Sequence, residues 1–274
     1  MVELTQELTE EKTSEIELQP NGLQAFMQLA CLFNKSFEQV KDESCLFFIK
    51  SLTKKLGKVL VKINLQAEEL ERSLENCAVT GVQEVLTSPA YISTVKRITK
   101  KKQLPVKVLS AIDFPFGENL FKSKLADAKN GVKMGVDGFA VMVSASSLGE
   151  GFLRKTKLRI KKLAKTYKNK LTLAIAMHDL SEDKLKAFFK CTEKFKIQSC
   201  LLVFGNEQES EVVEKVKKIS AYLTKSTKIL ANVESAEVLL ELLGSKIDFV
   251  YTQSADKIAT SLIKRFEVNS VNIR

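Results

Sequence analysis

Residues 106–144 read VKVLSAIDFPFGENLFKSKLADAKNGVKMGVDGFAVMVS, and this stretch decides the fold. Its two ends, 106–113 and 138–144, are short apolar runs rich in Val, Ile and Phe and bounded by turn residues, the pattern of strands. Between them 120–134 reads as an amphipathic helix. Pro115 and Gly117 force a turn where the first strand ends. A strand, a turn, a helix and a second strand make one βα unit of a parallel sheet.

The same rhythm extends in both directions. Strands are predicted at 58–64, 82–87, 171–177, 199–204, 228–233 and 247–252, which with the first two makes eight. Amphipathic helices are predicted at 88–99, 152–167, 182–195, 207–223 and 236–243, with a closing helix through 258–266. Eight βα units fit a closed barrel better than an open doubly wound sheet. The expected fold is therefore α/β, a (β/α)8 TIM barrel over 58–274 with an N-terminal helical extension over 21–57. In that extension Asn21 can cap a helix whose apolar face carries Leu23, Phe26, Met27, Ala30 and Phe33. A second helix near Cys45–Leu56 is expected to stop at Gly57. Residues 1–20 hold many charges and few large apolar groups, the composition of a disordered acidic tail.

Length and composition agree with one domain. The 274 residues are close to the ~250 typical of such barrels, and 45% of them are hydrophobic. The five cysteines, Cys31, Cys45, Cys77, Cys191 and Cys200, lie far apart with no CxxC pair and read as reduced core residues. The start carries no basic segment followed by an apolar one, and no run reaches the ~18 apolar residues of a membrane span. The expectation is a cytoplasmic protein with no transmembrane segment. The single histidine, His178, argues against multi-histidine metal sites and His-dependent dyads, and Walker A, GxGxxG and HExxH patterns are absent, so neither a metal nor a cofactor is expected.

In a barrel, chemistry sits at the carboxyl ends of the strands. There the sequence places Gly205 and Asn206 after strand six, Asn232 in strand seven, and Thr252 and Ser254 after strand eight. Their amides and hydroxyls could serve a phosphorylated small molecule or simply face solvent. The net charge of +10 points to an acidic protein partner or an anionic surface, or to lysines spread over solvated helix faces. Charge concentrates on the helix 152–167. There Leu153, Leu158, Ile160, Leu163 and Tyr167 are expected to face the sheet, leaving Arg154, Arg159, Lys162 and Lys165 outward as partner-binding candidates. Without interleaved aromatic residues no specific nucleic-acid site is expected. The aromatic-rich extension is expected to close the barrel's bottom or pack on its flank, or else to form a partner-binding or homodimer face.

Several motifs, in order and at fitting spacing, resemble deoxyribose-phosphate aldolases over about residues 58–266. Asp113-Phe114-Pro115-Phe116-Gly117 is similar to that family's FPxG turn, and Gly135-Val136-Asp137-Gly138 to its G-A-D-E-I-D strand entry. Val85-Leu86-Thr87-Ser88-Pro89 with Tyr91 is similar to its V-C-V-N-P segment, and Thr252 and Ser254 fall where its last strand has G-T-S-S-G. The resemblance implies a class I aldolase cleaving 2-deoxyribose 5-phosphate to glyceraldehyde 3-phosphate and acetaldehyde through a strand-six Schiff-base lysine. That lysine is missing from Cys200–Asn206. The strand-four aspartate of the family falls on Ala140, and its phosphate-binding glycines are replaced by Tyr251 and Ala255. A non-catalytic ligand- or protein-binding barrel is thus expected, a pseudoenzyme with a regulatory or scaffold role. The alternative is an active aldolase using a relocated lysine, Lys228 or Lys107.

Overall fold

The computed structural model describes residues 49–61, 66–149, 151–178, 180–223 and 226–271. The strands β1 (Leu56–Leu60), β2 (Glu84–Thr87), β3 (Lys107–Ile112), β4 (Gly138–Met142), β5 (Leu171–Ala176), β6 (Ser199–Val203), β7 (Thr227–Leu230) and β8 (Phe249–Thr252) close into one barrel in chain order. Every neighbouring pair is parallel, and β8 returns to β1 with Leu56 opposite Val250. Helices α1 (Ala67–Thr80), α2 (Ile92–Lys101), α3 (Phe121–Lys133), α4 (Leu153–Tyr167), α5 (Glu182–Lys194), α6 (Glu209–Ile219), α7 (Ala236–Gly244) and α8 (Ala255–Val271) follow the strands in turn. This is the (β/α)8 TIM barrel expected from the rhythm of the sequence.

Strands covered on both faces must be apolar at nearly every position, and β1 and β4 are buried throughout. Alternation divides their side chains between two cores. Val85, Val108, Val141, Leu173, Cys200, Leu202 and Ile229 pack outward under the helices, whereas Val59, Leu86, Ala111, Ala140, Ala174, Leu201 and Val203 fill the barrel. Two buried ion pairs fasten helices and loops to this frame. Lys58 Nζ lies 2.6 Å from Asp256 Oδ1, joining β1 to α8, and Lys124 Nζ lies 2.8 Å from Asp113 Oδ2, joining α3 to the turn after β3.

Four local readings change. The first strand begins at Leu56, two residues before the expected 58, and Gly57 lies inside it instead of ending a helix; residues 49–53 are helical and the helix gives way earlier. A Cβ on Gly57 would stand 2.3 Å from the Tyr251 ring, so this glycine admits an aromatic side chain into the barrel. Helix α1 was not among the expected helices, although Leu70, Leu74 and Cys77 recur at helical spacing on its buried side. The closing helix starts at Ala255, three residues before 258. Leu158, expected to face the sheet, is 62% exposed, because Thr156, Ile160 and Leu163 form the inward stripe of α4. The acidic tail, most of the helical extension, and Cys31 and Cys45 lie outside the described residues. Cys77, Cys191 and Cys200 are buried and outside any disulfide among the described residues, and burial pushes the Cys77 thiol up to about 12. No helix among the described residues is long and apolar enough to cross a membrane.

Candidate functional site

Inward-facing residues of a barrel are set by alternation along each strand, so the site can be assembled position by position. Toward the carboxyl ends, where barrel chemistry takes place, the interior is aliphatic. Ala140 and Met142 of β4, Ala174 of β5, Leu201 and Val203 of β6, and Leu86 of β2 form the inner core, with Ala176 and Leu230 against it. The inward position near the carboxyl end of β6 is therefore Val203. Leu202, its neighbour, packs in the outer core. No inward residue of β6 offers an amine, and Ala140 places a methyl group where the resemblance implies a carboxylate.

Charge enters the barrel at its other end. Glu84, the first residue of β2, receives hydrogen bonds on one carboxylate oxygen, Oε2, from Lys228 Nζ at 3.1 Å and from Tyr251 Oη at 2.6 Å. Lys228, from the start of β7, also lies 4.6 Å from the Phe249 ring centroid and 5.6 Å from that of Tyr251. Lys228 and Glu84 are only 16% and 18% exposed, so each offsets the other's loss of hydration. Burial, with the Glu84 charge second, raises the Tyr251 phenol well above its ordinary range and keeps it a hydrogen-bond donor. Across β5 and β6, Thr172 Oγ1 and Ser199 Oγ meet at 2.6 Å. Lys107 is the exposed first residue of β3.

The rim candidates separate by what their polar atoms already do. Thr252 is buried, donates from Oγ1 to the Val233 carbonyl at 2.7 Å and accepts from the Ser254 N–H at 3.2 Å. Gly205, Asn206 and Asn232 are exposed and Ser254 half-buried, and a Cβ at Gly205 would meet nothing within 4 Å. Sequence reasoning missed Glu209, the first residue of α6. Its Oε1 accepts the backbone N–H groups of Glu234 at 2.5 Å and Ser235 at 3.0 Å, so a carboxylate of the chain itself occupies the amides leading into α7. A Glu at the head of one helix carries no signal that it will cap the next. Ala255 is buried at the start of α8.

On α4, Arg154, Lys162 and Lys165 are exposed together with Lys155 and Lys161, whereas Arg159 is half-buried with its guanidinium 5.6 Å from the Phe121 ring centroid. The structure thus brings the Lys228 group together with Glu84 and Tyr251, leaves Asn206, Asn232 and Ser254 after the ends of β6, β7 and β8, and sets the α4 cations on the outer face of their helix.

No protein-family model matches the chain. Deoxyribose-phosphate aldolase of Mycoplasmoides gallisepticum is 34% identical over 103 residues, 38% of this chain and 45% of that protein, so the chain spans less than half the length of this relative. Deoxyribose-phosphate aldolase of Treponema denticola is 25% identical over 204 residues, covering 72% of this chain and 94% of that protein. The tetrameric deoxyribose phosphate aldolase of Aeropyrum pernix superposes with a TM-score of 0.68 at 15% identity, covering 90% of this chain and all of that one. The fold is a (β/α)8 barrel, shared with aldolases of known structure. In sequence the chain is similar to deoxyribose-phosphate aldolases.

Proposed function

We propose that this chain is a deoxyribose-phosphate-aldolase-like barrel that does not perform Schiff-base cleavage and acts as a ligand- or protein-binding, regulatory or scaffold barrel. One observation carries the reading: the inward positions at the carboxyl ends of β4 and β6 are Ala140, Met142, Leu201 and Val203. Aldol cleavage through a Schiff base needs an amine that is free to lose its proton, together with a partner that moves protons, and aliphatic side chains supply neither. The described residues favour this reading over the relocated lysine. Lys228 Nζ is engaged by the Glu84 carboxylate at 3.1 Å, and it stands at the start of β7, away from the carboxyl ends of the strands. Lys107 is exposed at the same end of the barrel. A phosphorylated small molecule would meet Gly205, Asn206, Asn232 and Ser254 at the rim, with the Glu209 carboxylate next to Asn232 as an opposing charge. Self-association as a homodimer belongs to the same proposal, and light scattering on the purified chain measures it.

The test is borohydride trapping with 2-deoxyribose 5-phosphate, read by intact mass, alongside a coupled assay for glyceraldehyde 3-phosphate. The expected result is no adduct and no turnover above buffer. Turnover near the ~10 per second typical of enzymes, lost in Lys228→Met with an adduct mapped to that lysine, would establish the active aldolase instead.

A further inference from the structure

The flank of the barrel between α3 and α4 carries a cavity of about 220 Å³, remote from the triad around Lys228. Its walls are apolar where Phe121, Phe152 and Ile160 line it and polar where Ser144 donates to Glu118 Oε1 at 2.7 Å. Phe152, at the head of α4, is 63% exposed. Arg159 forms the lip, its guanidinium held over the Phe121 ring. Lys155 and Lys162 stand four residues before and three after Arg159, which places all three along one stripe of the helix, and both lysines are exposed. No acidic side chain among the described residues pairs with either lysine. A cationic ridge therefore borders a half-apolar recess.

Size and shape select the occupant. The recess is smaller than the ~300–1,000 Å³ of small-molecule sites, yet it is walled on several sides as an anchor pocket for one large side chain would be. A bilayer surface would press on an apolar bulge and leave a recess unfilled. The geometry points to a docking site for an acidic peptide segment: one aromatic or large aliphatic side chain enters between Phe121 and Phe152, and flanking carboxylates follow Lys155, Arg159 and Lys162. Glu118 on the opposite wall directs those carboxylates to the α4 side by repulsion. This rests on the binding reading above and supplies its partner. The lumen does not enter it, so the trapping assay and the binding assay can fail separately.

Fluorescence anisotropy measures it with the full chain and a labelled peptide of Asp and Glu residues around one central Phe. Controls are the same peptide with Ser for Phe, and vesicles of phosphatidylcholine with and without phosphatidylserine. The Phe peptide binds about tenfold or more tightly than the Ser peptide, and binding weakens as salt rises. Lys155→Glu with Lys162→Glu lowers affinity for both peptides by more than about tenfold. Phe152→Ala removes the preference for Phe while retaining the weaker charge-driven binding. All three side chains are solvent-accessible, and melting curves of the variants verify the fold. Equal affinity for the two peptides, no peptide binding at low salt, or binding only to phosphatidylserine vesicles overturns the proposal.

Discussion

Three neighbours surround the Lys228 amine inside the barrel and offset the cost of taking it out of water: the Glu84 carboxylate and the rings of Phe249 and Tyr251. Removing one member of such a group leaves the rest uncompensated. Glu84→Leu is expected to lower unfolding free energy by about 3–5 kcal/mol, since it strands the ammonium and deprives Tyr251 of its acceptor. Adding Lys228→Met to Glu84→Leu should recover part of that loss, so the two changes together cost less than the sum of each alone. Urea denaturation of the two single variants and the double variant measures the coupling. Additive losses would show that Lys228 and Glu84 do not depend on each other.

At the scale of the element, the turn from β3 into α3 holds its form through one buried amine. Lys124 Nζ pairs with Asp113 and donates to the carbonyls of Gly117 at 2.7 Å and Met142 at 2.8 Å, so a helix side chain joins the turn to the end of β4. Gly117 has φ +79, and a Cβ there would come within 2.9 Å of the Ser144 nitrogen. Gly117→Ala is therefore expected to cost about 1–3 kcal/mol through backbone strain, with a further loss from the clash. Lys124→Met should cost about 3–5 kcal/mol by leaving Asp113 buried without its cation. Both are read from chemical denaturation midpoints, and a midpoint unchanged in either variant would refute the account of this turn. The Phe-Pro-Phe-Gly signature was visible in the sequence because turn residues act locally. That Lys124, 11 residues past Asp113, would fasten the turn was not, since one helical lysine in a lysine-rich chain looks like the rest.

Across the whole molecule, closure of the barrel places catalytic opportunity at one inward layer, and that layer is aliphatic here. Restoring an amine depends on direction as well as chain position. Val203→Lys puts an amine in the interior and is expected to form a borohydride-trapped adduct with a small aldehyde, without appreciable turnover because Ala140 still offers no acid. Leu202→Lys drives a charge into the outer core beneath the helices and is expected to destabilise the fold by several kcal/mol with no adduct. Val203→Lys with Ala140→Asp tests whether the pair recovers turnover. Mass spectrometry and thermal melts together distinguish the outcomes, and an adduct on Leu202→Lys but not Val203→Lys would reverse the assigned strand orientation.

Eight strands, their order along the chain and most of their helices could be read from the amino acids, because burial on both faces and helical amphipathicity impose periods that repeat within a dozen residues. The absence of a strand-six amine and of the strand-four acid was legible for the same reason, each being a property of one residue in one strand. Distance along the chain hid the rest. Glu84, Lys228 and Tyr251 are separated by 144 and 167 positions from the first to the others, and only closure of β8 on β1 sets them in one layer. Alternation assigns Val203 inward and Leu202 outward only once the register of β6 against β7 is known. Local periodicity writes a strand or a helix into any short window, whereas the meeting of a lysine, a carboxylate and a phenol across a barrel is decided by pairing between strands, which no window contains.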